Sequence, residues 1–170
     1  MDNAALVVWL LTAGGGLTMA TIWLVRGGLR QRDEVLELSY RHVADATDVT
    51  GLAPAPRRSR IPVWMIGSHA ALALLGLYLW IYYVDREGEE GTGVGALPPL
   101  VVGLLLVVAS FGALMVRRWR EGRSRLDEDE VPKAERPPEQ HIPAAVMALH
   151  GLLAVATILL VFLTAVGVGD

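Results

Sequence analysis

The chain has no cysteine, two phenylalanines and a single lysine among its 170 residues. The missing thiols exclude disulfides, thiolate nucleophiles, Cys-ligated zinc and iron–sulfur clusters. Charge is scarce as well: 19% of residues are Asp, Glu, Lys or Arg, against about 25% in ordinary soluble domains. A net charge of -3 leaves no basic excess for a nucleic-acid backbone. No Gly-rich phosphate loop, metalloprotease motif, Ser-His-Asp set or sheltered carboxylate pair occurs. A non-catalytic subunit is therefore expected rather than an enzyme with its own catalytic residues.

What the chain has in excess is apolar surface, with 53% hydrophobic residues and a mean hydropathy of +0.43. These residues gather into four runs, Ala4 to Val25, Pro62 to Val84, Leu97 to Val116 and Pro143 to Val168, none containing Asp, Glu, Lys or Arg. Each reaches the about 20 residues that a helix needs to cross a hydrocarbon core of about 30 Å. The first run follows MDNAA, with arginines only after it, which is the reverse of a secretory signal, so it reads as a retained helix. The expected fold is an all-α integral membrane protein, a four-transmembrane-helix bundle with spans at about 4–26, 62–84, 97–117 and 143–168.

Seven basic residues lie between Arg26 and Arg60 and seven between Arg117 and Arg136, while the connection between the second and third spans has only Arg86. Positive residues set insertion and acidic ones hardly count, so both termini are expected outside, with the loops 27–61 and 118–142 in the cytoplasm. The use of Arg over Lys, with abundant Ala, Gly, Val and Leu, suggests a GC-rich bacterial genome and hence a bacterial plasma membrane.

The second and fourth runs align without gaps. IPVWMIGSHAALALLGLYLW from Ile61 lies on IPAAVMALHGLLAVATILLV from Ile142, each with Ile-Pro and then His eight positions after the Ile. The chain has nine Pro and four His, which makes this match more informative than shared Leu or Ala. The first and third runs align more weakly. VVWLL at Val7 matches VVGLL at Val101, placing Arg26, Gly28, Asp33 and Glu34 on Arg120, Gly122, Asp127 and Glu128. The chain thus reads as two parallel helical-hairpin repeats, 1–92 and 93–170, related by a pseudo-two-fold axis along the membrane normal. Pro62 and Pro143 fit the first helical position, where a missing N–H costs nothing.

His69 and His150 lie seven residues inside these prolines, about 10 Å along a helix. An ionisable side chain inside a span is by default a functional candidate. Small residues follow on the same face, Ala73 and Gly76 in one repeat and Ala154 and Thr157 in the other. Two imidazoles facing each other at one depth can supply both axial ligands of one haem b iron, with His69 and His150 as the metal ligands. Arg57, Arg58, Arg60, Arg117 and Arg118 are then candidates to pair with the propionates. The alternative is helix glue, each His bonding to Ser68, Thr12, Thr18, Thr21, Ser110 or a backbone carbonyl in a cofactor-free scaffold subunit of a larger membrane complex. A small transporter is a third reading, weakened by the lack of intramembrane acids. A bis-His zinc or copper site lacks further ligands. His42 and His141 lie outside the spans and read as a solvated loop residue and a neighbour of a helix start.

Thr12, Gly16 and Ala20 form a small-residue stripe suited to close helix packing, with Gly103, Ala109, Ser110, Gly112 and Ala113 serving the third span. Trp9, Trp64, Trp119, Tyr78, Trp80, Tyr82 and Tyr83 read as an aromatic belt, with a quinone pocket as the ligand-binding alternative. LRQRDEVLELSYRHVADATDV reads as a continuation of the first helix to about Ala46, followed by a Pro-containing linker. The second basic loop reads as a charged, mobile segment. Other membrane subunits or a redox partner are the expected partners, with lipid all round.

Overall fold

The computed structural model describes residues 2–29, 59–87, 93–128, 133 and 136–168. Four helices dominate them: α1 (Asp2–Val25), α2 (Val63–Arg86), α3 (Leu97–Glu128) and α4 (Ala144–Ala165). Each contains a stretch long and apolar enough to cross a membrane. A 3-10 turn at Val94–Ala96 leads into α3, and another at Pro138–His141 leads into α4. The helices form a ring in which α1 packs chiefly on α4, and α2 on α3, with α3·α4 and α1·α2 contacts closing it. Thus α2 and α4 stand diagonally opposite.

The apolar runs set where the helices form, and local chemistry sets where they stop. Pro62 and Pro143 act as N-caps in extended backbone, one position earlier than the first helical turn expected for them. Their carbonyls accept the first helical bonds, from Met65 and Ile66 and from Val146 and Met147. The helix expected to run on from α1 instead ends at Val25. Gly27 takes φ 88, and the Gly28 N–H bonds back to the Trp23 carbonyl at 2.9 Å, a left-handed reversal that glycine adopts without strain. Residues 30–46 of that expectation, His42 among them, lie outside the described residues.

The second departure is at α3, which continues to Glu128 through sequence expected as mobile loop. Trp119 and Leu126, seven residues apart, are both buried, so a helical stripe persists beyond the apolar run. An i,i+4 pair between Arg117 and Glu121, at 2.8 Å, adds local support on the exposed face.

Burial is layered along the bundle axis. At the Asp2 end, Ala5, Trp9, Trp80, Tyr83, Val101, Leu105 and Val161 form one packed cluster. The Trp80 indole donates to the Asp2 carbonyl at 3.3 Å, and the Thr164 hydroxyl donates to Asp2 Oδ1 at 2.7 Å. Trp9, Trp80, Tyr83 and Trp119 are therefore core rather than belt, because each ring fills interhelical space; Trp64, Tyr78 and Tyr82 remain exposed. At the arginine-rich end, Trp23 donates to Ser59 Oγ at 3.1 Å and Trp119 to the Glu139 carbonyl at 3.1 Å, each tying a helix to the segment that enters the next one.

Burial also recurs at fixed spacings. Between α2 and α4 the spacing is 81 residues: Gly76 with Thr157, Trp80 with Val161 and Tyr83 with Thr164 are all buried, as are Ile61 and Ile142 just before the helices. Between α1 and α3 it is 96, joining Ala5 to Val101, Trp9 to Leu105, Thr12 to Val108 and Trp23 to Trp119. At the 94-residue spacing read from VVWLL and VVGLL burial does not recur in this way: Val7 is exposed while Val101 is buried.

Candidate functional site: a facing histidine pair

Between the two end layers, His69 of α2 and His150 of α4 meet across the diagonal. Their ring centroids are 6.3 Å apart, with the planes inclined at 57°. His69 Nδ1 lies 3.0 Å from the Val108 carbonyl of α3, and His150 Nδ1 lies 2.9 Å from the Thr12 carbonyl of α1. A carbonyl only accepts, so Nδ1 carries the proton in both rings, and in the neutral imidazole the lone pair is left on Nε2. Among the described residues neither Nε2 has a hydrogen-bond partner.

Access to these carbonyls has one cause on both sides. In a helix the carbonyl of residue i points toward the side chain of residue i+4, which ordinarily screens it. Here the i+4 residues are Gly16 and Gly112. A Cβ at Gly16 would lie 3.2 Å from His150 Cε1, and one at Gly112 3.4 Å from His69 Cε1. The small-residue positions read from sequence as helix-packing stripes thus receive the imidazoles. This role was available from sequence in one signal, the 96-residue spacing shared by Trp23 with Trp119 and by Gly16 with Gly112.

The other expected site residues divide. Ala73 and Ala154, one turn beyond each histidine, are half-buried. Gly76 and Thr157 are taken up by packing: the Trp9 ring would be 3.0 Å from a Cβ at Gly76, and Thr157 Oγ1 lies 3.2 Å from Thr12 Oγ1 while donating to the Leu153 carbonyl. Thr18, Thr21 and Ser110 bond within their own helices rather than to a histidine. Arg60 is held by its backbone N–H, which donates to Glu139 Oε1 at 2.8 Å. Arg117 is exposed on Glu121, and Arg118 reaches the Met65 sulfur at 3.9 Å. The Arg117 guanidinium, donating to Glu121, holds that carboxyl below its ordinary range. Arg57 and Arg58 lie outside the described residues. No group of three or more His, Asp or Glu side chains able to hold a metal ion occurs among the described residues.

Comparison with protein-family models, with characterised proteins and with solved structures finds no match.

Proposed function

We propose that the chain is a small b-type cytochrome-like subunit of a bacterial plasma membrane, holding one haem between His69 and His150 and passing electrons to or from a partner or the quinone pool. The observation that carries this reading is the matched pair of Nδ1–carbonyl bonds. An imidazole that donates Nδ1–H to a backbone carbonyl is oriented, and made more basic, for ligation through Nε2. The two rings, with centroids 6.3 Å apart and a free lone pair on each Nε2, would be the residues to hold such a group.

The donor set also favours haem over a bare ion. Two imidazoles alone leave a divalent cation short of ligands, whereas haem iron needs only its two axial positions filled. His69 and His150 would hold it, Ala73 and Ala154 would line it, and Arg60 and Arg118 stand at the end where propionates would meet cations, while Arg117 is taken up by Glu121 on the outer face. Bound there, haem supplies a one-electron couple. The chain's own part is to orient both rings and to keep water from them with a packed layer on each side.

The same reading places the four helices across the bilayer as two parallel hairpin repeats, termini outside and arginine-rich segments in the cytoplasm. It is supported by the outward Leu11, Leu17, Leu74 and Leu152, all more than half exposed, by burial recurring at 81 and 96 residues, and by the arginine distribution. Haem bound by the purified protein would give a sharp α band in the dithionite-reduced minus oxidised spectrum, lost in both His69→Ala and His150→Ala. Protein made with ample haem supply and lacking that band removes the cytochrome reading.

A second reading has its own observation. Each Nδ1 already makes an interhelical bond, and Gly76 and Thr157 are filled by packing, which suffices for a cofactor-free scaffold subunit glued by its histidines. It predicts no chromophore, and loss of assembly with partner subunits in the same two variants.

A further inference from the structure

Each of the four helices carries one methionine, and the four stand at one level. Apart from Met1, the chain has Met19, Met65, Met115 and Met147, which fall in α1, α2, α3 and α4 respectively. Met65 lies four residues before His69, and Met147 three before His150. Met19 and Met115 come three residues after Gly16 and Gly112, the glycines that receive the imidazoles. At 1.5 Å per residue these offsets amount to about 4.5–6 Å, in every case toward the arginine-rich end. The halves of the spans beyond the histidines contain no methionine.

Helical register turns this layer inward. Met19 follows the buried Ala5 and Thr12 at seven-residue intervals and precedes the buried Trp23 by four, and Met115 stands in the same relation to Val101, Val108 and Trp119. Since α1 and α3 occupy opposite corners of the ring, these two stripes face each other across one diagonal as the histidines do across the other. Met65 is buried, and the other three are half-buried. Both helices carry Gly-x-x-Met-x-x-x-Trp, at 16–23 and 112–119. In each the glycine meets an imidazole, and the tryptophan ties the helix to the segment entering the next one. The methionine between them takes no part in either contact.

From this layer we infer a binding site for one soft monovalent metal ion, a cuprous ion, held by thioether sulfurs, with Met19 and Met115 opposed and Met65 and Met147 beside them. In a chain without thiols the thioether is the softest donor present, and soft sulfur ligands select the cuprous ion. Hard divalent cations take oxygen ligands instead, and the uncharged runs that contain the four methionines hold no carboxylate to offset a double charge. Met65 Sδ lies 3.9 Å from Arg118 Nη1, a weak contact that rotation of this unbranched side chain releases. The inference rests on helix register and ligand chemistry, and not on haem.

The test uses the full chain in neutral detergent, made without haem supply. It is titrated with silver(I), a redox-inert stand-in, and with cuprous ion kept reduced by ascorbate, each against a competing chelator. One ion per chain is expected, with sulfur neighbours in its X-ray absorption spectrum. Met19→Leu with Met115→Leu, a change of similar volume that cores tolerate, is expected to weaken binding by about a hundredfold, at the upper end of what loss of even an outer-shell partner costs. A wild type that takes no ion from the chelator overturns the proposal, as does a double variant that binds as tightly as wild type. Nitrogen neighbours alone overturn it too, because they assign the ion to the histidines. The haem reading is scored separately, by the reduced-minus-oxidised band of protein made with haem supply, so either can fail without the other.

Discussion

The two histidine half-sites make the same bond in different company. On the α1 side the His150 ring lies against Gly15 and Gly16, beside a hydroxyl pair formed by Thr12 and Thr157. On the α3 side the His69 ring lies against Gly112, the hydroxyls are replaced by Val108 and Gly76, and the Trp9 indole fills the space above Gly76. Packing detail differs between the two sides while imidazole, carbonyl and glycine are the same on both. The shared unit is the one that fixes the Nδ1 proton and leaves the lone pair on Nε2.

The largest expected contrast between equivalent positions lies in that upper layer. Trp80 and Val161 are both 0% exposed and 81 residues apart, yet Trp80→Ala should cost about 3–5 kcal/mol and Val161→Ala roughly 1–2, since the cavities differ in size. Equal losses in a denaturant titration in micelles would show that the two sides do not share the load in this way. Glu139→Ala comes next. It leaves the Arg60 N–H without its acceptor in a part-buried joint between the two arginine-rich segments, at a cost of about 1 kcal/mol, read as a lower midpoint in the same titration.

The histidines should then separate stability from chemistry. His69→Ala and His150→Ala each remove one interhelical hydrogen bond, worth about 0.6–2 kcal/mol in a membrane setting, and the two losses should be similar. If the pair holds haem as proposed, the reduced-minus-oxidised band should nevertheless vanish in both, because one ligand does not substitute for two. A band that survives in one variant would make the half-sites unequal in ligation as well as in packing. The smallest effect is expected from the glycines. Gly16→Ala meets the His150 ring at 3.2 Å and Gly112→Ala meets the His69 ring at 3.4 Å, so the first should lower the melting midpoint more than the second. The reverse order would show that α1 yields more easily than α3.

Much of this arrangement was legible before any coordinates. Runs without charge marked the four helices, and the Ile-Pro and His spacing marked the histidine pair. The carbonyl that each histidine bonds was less legible, because a backbone acceptor leaves no trace in composition; only the glycine four residues later does. The end of α1 at Val25 was hidden because Leu, Arg, Gln and Glu after Leu29 favour helix locally, while the reversal rests on Gly27 alone. The extension of α3 was hidden for the opposite reason. Arg-rich sequence dominates its composition, and the sparse stripe of Trp119 and Leu126 is what keeps it helical. The surroundings of the arginines were the least legible, since Arg117 looks equally basic whether it faces the bundle or, as here, Glu121 and the outside.

Both interhelical histidine bonds cross from one half of the chain to the other: α2 to α3, and α4 to α1. A single hairpin standing alone would therefore carry a histidine with no acceptor and a glycine-flanked carbonyl with no donor. Two identical hairpins related by a two-fold axis would satisfy both at once. Cutting the chain between Glu87 and Gly93 should therefore leave two fragments that regain the histidine bonds only on reassociation.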